Sequence, residues 1–372
     1  MIASAISTTE DLAGEASVDK LLLQARNSIY DEELHHELHR EARILVNQGV
    51  RCLGEVIHLP YENDKQVLFD LISYDDAVES SENGTDEDIV VARAVALTAR
   101  LFLSHFHRKN LRRRSQPPPP LTERRPPRPI YSILRLILSH LQHRSNIASM
   151  RDFLSEIRSS LAAAGLTFKY DEAASMSTDL PGIPAIVAKS GIPFAEVLGN
   201  SLSAPSQSRI TLVLPSKSTN IVISVRTHLS APHFGTDYAV TIDSCPPNSA
   251  ISKTPGTMIF SVASDAEDHV LHLLTLDLVS IVASTRLNNM WTIRLPQSGE
   301  LRMTPKEKGK GSSKWMAVIA ERWKLEVQWG FSNVARSETK SYVWRGVDEG
   351  HEGITGCTLE DVVRGAGSEA TE

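Results

Sequence analysis

The sequence predicts an α+β protein: an N-terminal helical region with long helices, then a mixed α/β C-terminal domain with mainly antiparallel strands. Three observations predict it. Apolar residues recur every three or four positions through most of residues 17–165. From Arg209 the rhythm becomes that of short strands, in ITLVLPS, NIVISVRTHL, YAVTIDS and TMIFSVAS. A single helical stretch, Asp265 to about Arg286, then separates these from a second set of strands. The predicted division is a disordered N-terminus at 1–16, a helical region at 17–165, an α+β domain at 166–345 and a flexible tail at 346–372.

The first helix, Leu21 to Gly49, has Ser17 as N-cap, Gly49 as stop and two apolar stripes. Val18, Leu22, Ala25 and Ile29 share one face, and Tyr30, Leu34, Leu38 and Leu45 share a neighbouring one. Such a helix needs a kink or two partners. Val50 to Tyr74 reads as two strands around the turn Pro60–Asp64, and Asp75–Asp88 as a solvated acidic loop. The second helix, Ile89 to about Leu111, carries Val91, Val95, Phe102 and Phe106 in line with Ala94, Leu97 and Leu101 beside them, which predicts a helix enclosed on most sides. A disordered basic, proline-rich loop follows at about 108–129. Two helices, one through Ile130–Leu141 and one through Ile147–Leu161, form a hairpin or bent pair with Ser145 as the N-cap between them. In the C-terminal part WKLEVQW alternates strictly, placing Trp323, Leu325, Val327 and Trp329 on one strand face.

At 372 residues the chain is long enough for two or three domains. Its 41% hydrophobic and 23% charged residues are ordinary globular usage and exclude wholesale disorder. A net charge of -6 weighs against a nucleic-acid binder along the whole chain, while leaving local basic patches open. The three cysteines, Cys52, Cys245 and Cys357, are far apart and form no CxxC, which fits a reducing compartment and gives no disulfide framework. No basic region followed by an apolar run marks a secretory signal, and the longest apolar stretch, Val270–Ala283, is too short for a bilayer. The expectation is a soluble intracellular chain.

Candidate chemistry is sparse. His35 and His39 are four apart on a helix, the spacing of a metal clamp, but the glutamate of a metalloprotease helix is displaced to Glu37 and no third ligand presents itself. KGKGSSK has the wrong glycine spacing for a phosphate loop, and neither GxSxG nor GxGxxG occurs. The sequence therefore offers no catalytic, metal or cofactor-binding residues, and no cofactor. Arg108–Arg128 and Lys306–Lys314 are solvated basic loops or, functionally, phosphate contacts. Arg112–Arg114 also reads as a nuclear-localisation signal, and the proline run as a ligand for proline-binding modules. Trp315, Trp323 and Trp329 are core residues or partner anchors.

Five segments in order, NSIYDEELHHELHREARILVNQGVR, LFLSHFHRKNLRRR, ILRLILSHLQHRSNIASMRDFL, RITLVLPSKSTNIVISVR and KWMAVIAERWKLEVQWGF, resemble the C-terminal half of the fungal Mediator subunit 17 family over roughly residues 18–345. The resemblance implies a nuclear, non-catalytic scaffold of the Mediator head module that coactivates RNA polymerase II transcription. Its expected partners are other head-module subunits and, through the assembled complex, the polymerase and initiation machinery. Direct nucleic-acid binding and membrane association are not implied. Contacts, or support for contacts, are expected at Ile29, Leu34, Leu38, Leu45, Trp315, Trp323 and Trp329. Family members carry a long helical region ahead of the segment matching Leu21, so the chain is expected to be a fragment or to start late. Two other readings stay open: a nucleic-acid-binding module using the basic loops, and a metal-dependent hydrolase using His35 and His39.

Overall fold

A computed structural model describes residues 18–61, 65–72, 86–115, 131–173, 193–230, 233–247, 249–284, 291–295, 300–303, 314–331, 339–346 and 357–368. The chain divides into two compact units: residues 1–145, 176–206 and 227–234, and residues 146–175, 207–226 and 235–372. The boundary falls inside a helix near Ser145, not near 165, and each unit draws on distant parts of the chain.

The first unit contains helix α1 (Val18–Ala42), strands β1 (Arg51–Leu53), β2 (Val56–Tyr61) and β3 (Lys65–Phe69), helix α2 (Asp86–Ser115), the start of α3 (Ile133–Ala163) and α4 (Phe194–Leu202). The three strands form an antiparallel sheet in the order β1-β2-β3. Strict alternation turns Ile57, Leu59 and Tyr61 of β2 inward. They meet Leu34, Leu38, Ala42 and Leu45 from the α1 side, Val95, Ala99, Phe102 and Leu103 of α2, and Ile133, Leu134, Ile137, Leu138 and Leu141 of α3 in one apolar cluster. Each large side chain here contributes about 1.5–3 kcal/mol by burial.

Two five-stranded sheets lie mainly in the second unit, with the strand residues within 227–234 counted in the first. One has the order β4-β5-β6-β7-β8: β4 (Lys169–Ala173), β5 (Ser206–Val213), β6 (Asn220–Ser230), β7 (His233–Ser244) and β8 (Thr257–Phe260). The other is an antiparallel meander in the order β13-β12-β11-β10-β9: β9 (Trp291–Leu295), β10 (Glu300–Met303), β11 (Lys314–Ala320), β12 (Lys324–Phe331) and β13 (Lys340–Arg345). Helix α5 (Ala263–Ser284) packs on β8, β9, β10 and β11. It buries Ala266, Val270, Leu273, Leu276, Val279 and Val282, residues distributed around its whole circumference, as a helix enclosed by its own unit must. Its buried Asp277 accepts the Ser216 amide at 3.0 Å, which pins the β5–β6 turn to the helix. The rest of α3, through Ile147, Met150, Phe153, Leu154, Ile157 and Leu161, completes this core.

Several expectations are corrected. The first helix ends at Ala42; a short 3-10 turn, Val46–Gln48, follows, and it is this turn that Gly49 closes, at φ +83°. Val50–Tyr74 contains three strands, because Gly54 and Glu55 provide a tight turn after β1 and Pro60 lies within β2. The second helix begins in the acidic run at Asp86 and continues through Arg112–Arg114 to Ser115, so residues 108–115 of the expected disordered loop are helical. Acidic residues in its first turn and basic ones in its last suit the macrodipole. Only one side of this helix is buried; Val90, Leu97 and Leu111 are exposed. By length and composition it is apolar enough to cross a bilayer, yet its inner row packs in the unit's own core.

The expected hairpin at Ser145 is one continuous helix, since neither Gly nor Pro interrupts Leu141–Ile147. The change of apolar face there marks the passage from one core to the other. The expected flexible tail contains a helix, α6 (Leu359–Ser368), whose Leu359, Val362, Val363 and Ala366 are buried in the second unit. Thr358 and Asp361 form its capping box: Asp361 N–H donates to Thr358 Oγ1 at 3.3 Å, and Thr358 N–H donates to the Asp361 carboxylate at 3.1 Å. Lys314 Nζ donates to the Ala366 carbonyl at 2.9 Å at the far end. The expected disordered N-terminus at 1–16, and residues 116–129 of the basic loop, lie outside the described residues.

Candidate partner-contact surfaces

Every residue from Val18 to Ile29 is exposed, on all sides of the helix. At 100° per residue Val18, Leu21, Leu22, Ala25 and Ile29 still gather into one apolar stripe, on roughly the opposite side of α1 from Leu34 and Leu38 rather than on a neighbouring face. Packing starts at Tyr30, whose hydroxyl donates to the Arg100 carbonyl at 2.8 Å, and at Asp31, whose carboxylate meets Arg100 at 2.7 Å. Ile29 is 66% exposed, whereas Leu34, Leu38 and Leu45 lie in the unit's own core. At the end of α1, the carboxylate of Glu41 accepts the amide hydrogens of Leu134 at 2.7 Å and Arg135 at 3.1 Å, capping the start of α3. Burial pushes the Glu41 carboxyl up to about 7, against the pull of those two amides and the Arg135 guanidinium.

Four histidines are occupied by the fold. A carbonyl oxygen only accepts, so the Nε2 atoms of His35 and His39 both carry protons toward the Glu55 carbonyl, at 3.0 and 2.7 Å. Among the described residues no third ligand joins them. His140 binds the Leu202 carbonyl through Nε2 at 2.9 Å and takes the Ser206 hydroxyl at Nδ1 at 2.8 Å. This serine–histidine contact has the distance of a nucleophile and its base, but Ser206 is buried and the pair anchors the end of α4. His143, buried beside Thr227 at 3.0 Å, is held down to about 4 by burial and by neighbouring His140.

A cleft of about 210 Å³ opens between the end of α2 and α4. His105, Arg108, Lys109 and Arg112, spaced as one face of a helix, line one wall; Glu196 and Asn200 line the other. Arg112 grips the Glu196 carboxylate with both guanidinium arms, one at 2.6 Å. The helices approach closely at Gly199, where a Cβ would fall 2.5 Å from His105 Nδ1. The composition of Arg108–Arg114 predicts a loop and the Pro and Gly around Phe194–Leu202 hide α4, so the wall is not predicted from sequence; the 105-108-109-112 spacing is the signal that marks it.

The tryptophans separate. Trp329 packs half-buried against the second unit's core and Trp315 is half-buried in β11, opposite Arg302 and Gly330. Trp323 does not share the strand face of Leu325, Val327 and Trp329: it precedes β12 in the turn closed by Glu321 N–H on the Lys324 carbonyl at 2.9 Å, and is 61% exposed. Its neighbour Arg322 is drawn onto Glu156 and Glu267, with its guanidinium 5.6 Å from the Trp323 ring.

An exposed apolar helix face and an exposed turn tryptophan thus stand out on an α+β chain whose two clamp-spaced histidines both bind a backbone carbonyl. The family model for subunit 17 of the Mediator complex matches residues 1–161. Subunit 17 of Mediator of RNA polymerase II transcription from Emericella nidulans is 30% identical over 329 residues, covering 84% of this chain and 49% of the relative. The Aspergillus terreus subunit is 35% identical over 237 residues, 64% of this chain and 36% of the relative. Among solved structures, the Schizosaccharomyces pombe Mediator head module is similar over 65% of this chain and 48% of that chain, at 17% identity and a TM-score of 0.43. The chain belongs to the Mediator subunit 17 family, and it spans about half the length of the curated relatives it matches.

Proposed function

We propose that this chain is a non-catalytic scaffold subunit of the Mediator head module, acting in the nucleus as a coactivator of RNA polymerase II transcription through protein–protein contacts. It has no catalytic role of its own. Its partners are other head-module subunits, and it reaches the polymerase and initiation machinery through the assembled complex. Family membership supports this reading, and the observation that carries it is the first three turns of α1. A helix of that length is marginal in water without tertiary support, so an apolar stripe exposed there belongs against another chain.

Ile29 and Trp323 are the contact residues in this reading. Leu34, Leu38 and Leu45 hold α1 to its own core from behind, and Trp315 and Trp329 brace the strands that carry the Trp323 turn. The test is co-expression with head-module subunits followed by size-exclusion chromatography with light scattering. A co-eluting complex that is lost in the Leu22→Asp/Ile29→Asp variant, with the helical signal of the free chain unchanged, is the expected result. A monomer that ignores every head-module subunit overturns the reading.

A further inference from the structure

The cleft between α2 and α4 serves none of the contacts proposed above. Three cations, Arg108, Lys109 and Arg112, converge on it from successive turns of one helix, and one carboxylate, Glu196, faces them, leaving two unbalanced positive charges around a cavity of about 210 Å³. Arg108 and Lys109 are exposed and form no ion pair among the described residues. His105, buried at the base with its ring held below its usual range by burial and by Lys109, adds no charge of its own. The bidentate grip of Arg112 on Glu196 establishes that the guanidinium is set for a planar oxyanion.

We propose that this cleft binds a phosphoryl dianion carried on a protein side chain, a phosphoserine or phosphothreonine of a partner segment. The charge matches: a phosphomonoester brings close to two negative charges and three acceptor oxygens, and two free cations with a third shared guanidinium receive them. The dimensions match a single phosphoryl group, not a backbone of successive phosphates, because the four lining positions of α2 are consecutive turns of one short wall and Glu196 interrupts any continuous track. One exposed apolar side chain, Leu111, stands one helical turn from Arg108. It supplies surface to a residue flanking a phosphorylated side chain, which free phosphate would not use.

The full chain, titrated with a short fluorescein-labelled peptide containing one phosphoserine and with its unphosphorylated twin, tests the assignment. The phosphorylated peptide is expected to bind at least tenfold more tightly. Arg108→Ala/Lys109→Ala removes most of that difference, at about tenfold for each charge-assisted bond lost. Glu196→Gln strengthens binding several-fold by freeing Arg112, which a purely structural ion pair would not do. Equal binding of the two peptides, or full binding by the double variant, overturns the proposal. Inorganic phosphate binding as tightly as the peptide overturns the side-chain part of it. A single-stranded oligonucleotide binding more tightly than the phosphopeptide, with steep salt dependence, replaces it with a nucleic-acid site. Arg108 and Lys109 are exposed and Glu196→Gln keeps the size of the half-buried side chain, so circular dichroism of the variants is expected to match the parent.

Discussion

Glu41→Gln isolates one buried proton. Glu41 has no exposed surface, and its carboxyl is raised from 4.5 to about 7 by burial. Between those values the folded chain holds a proton that the unfolded chain has released. The stability this provides is fully present below pH 4.5 and is lost as pH rises through 7. At 1.36 kcal/mol per pH unit the whole effect is about 3 kcal/mol, most of which falls between pH 5 and 8.5. Glutamine resembles the protonated acid at every pH. It costs a pH-independent amount of about 1 kcal/mol, because its amide faces one of the two donors, Leu134 N–H or Arg135 N–H, and cannot accept from it.

The assay is urea unfolding at steps from pH 5 to 8.5, followed by far-ultraviolet circular dichroism. All five tryptophans lie after residue 290, in the second unit, so tryptophan emission reports that unit's unfolding separately. The parent minus variant stability should fall by about 2–3 kcal/mol across this range. A difference flat to within about 0.5 kcal/mol would show that Glu41 is already ionised in the fold and that the amides and the helix dipole outweigh burial.

In the Glu41→Gln background the opposing demand of His143 becomes visible. Its neutral ring, held near 4, contributes stability above pH 6.5 that is lost as pH falls toward 4, so stability should rise by about 2 kcal/mol from pH 4.5 to 6.5; a flat curve would deny a neutral buried ring. Leu38→Ala should destabilise the first unit by about 2–5 kcal/mol, whereas Ile29→Ala should change it by less than about 0.5 kcal/mol, both read from urea midpoints. Thr358→Ala should cost the second unit about 1 kcal/mol by breaking the capping box. Trp344, whose Nε1–H donates to the Cys357 carbonyl at 2.9 Å, should report this as a lower midpoint in tryptophan emission.

The sequence made the α+β class, α5 and most strands of the second unit legible, because strand alternation and an apolar helix longer than any strand are local signals. The discontinuous units were not legible: the passage of α3 from one core to another produces the same change of apolar face as a hairpin, and only packing separates the two. Helix α4 and α6 were hidden by flanking Pro and Gly, although the T-x-x-D box at Thr358 marks the start of α6. At the candidate surfaces, the two stripes of α1 were readable but their burial was not. Period alone gives Leu34 and Ile29 the same claim, and it is β2 and α2, far along the chain, that cover only the first. Trp323 is off its predicted strand face because the turn closed by Glu321 on Lys324 delays the start of β12 to Lys324, and the ion pairs of Arg322 with Glu156 and Glu267 beside it are long-range contacts with no local trace.

Residues 18–29 hold a helix by backbone bonds alone, with no side chain lent to a core. Each of their amides can open by local unwinding, at a small fraction of the cost of unfolding the unit. Deuterium should therefore enter this segment in the fastest class, while the amides around Leu38 exchange slowly, along one unbroken helix. Any chain that covers the stripe must slow the fast half and leave the slow half as it was. The two halves of α1 thus carry an internal clock and its reference, from which occupancy can be timed without a label.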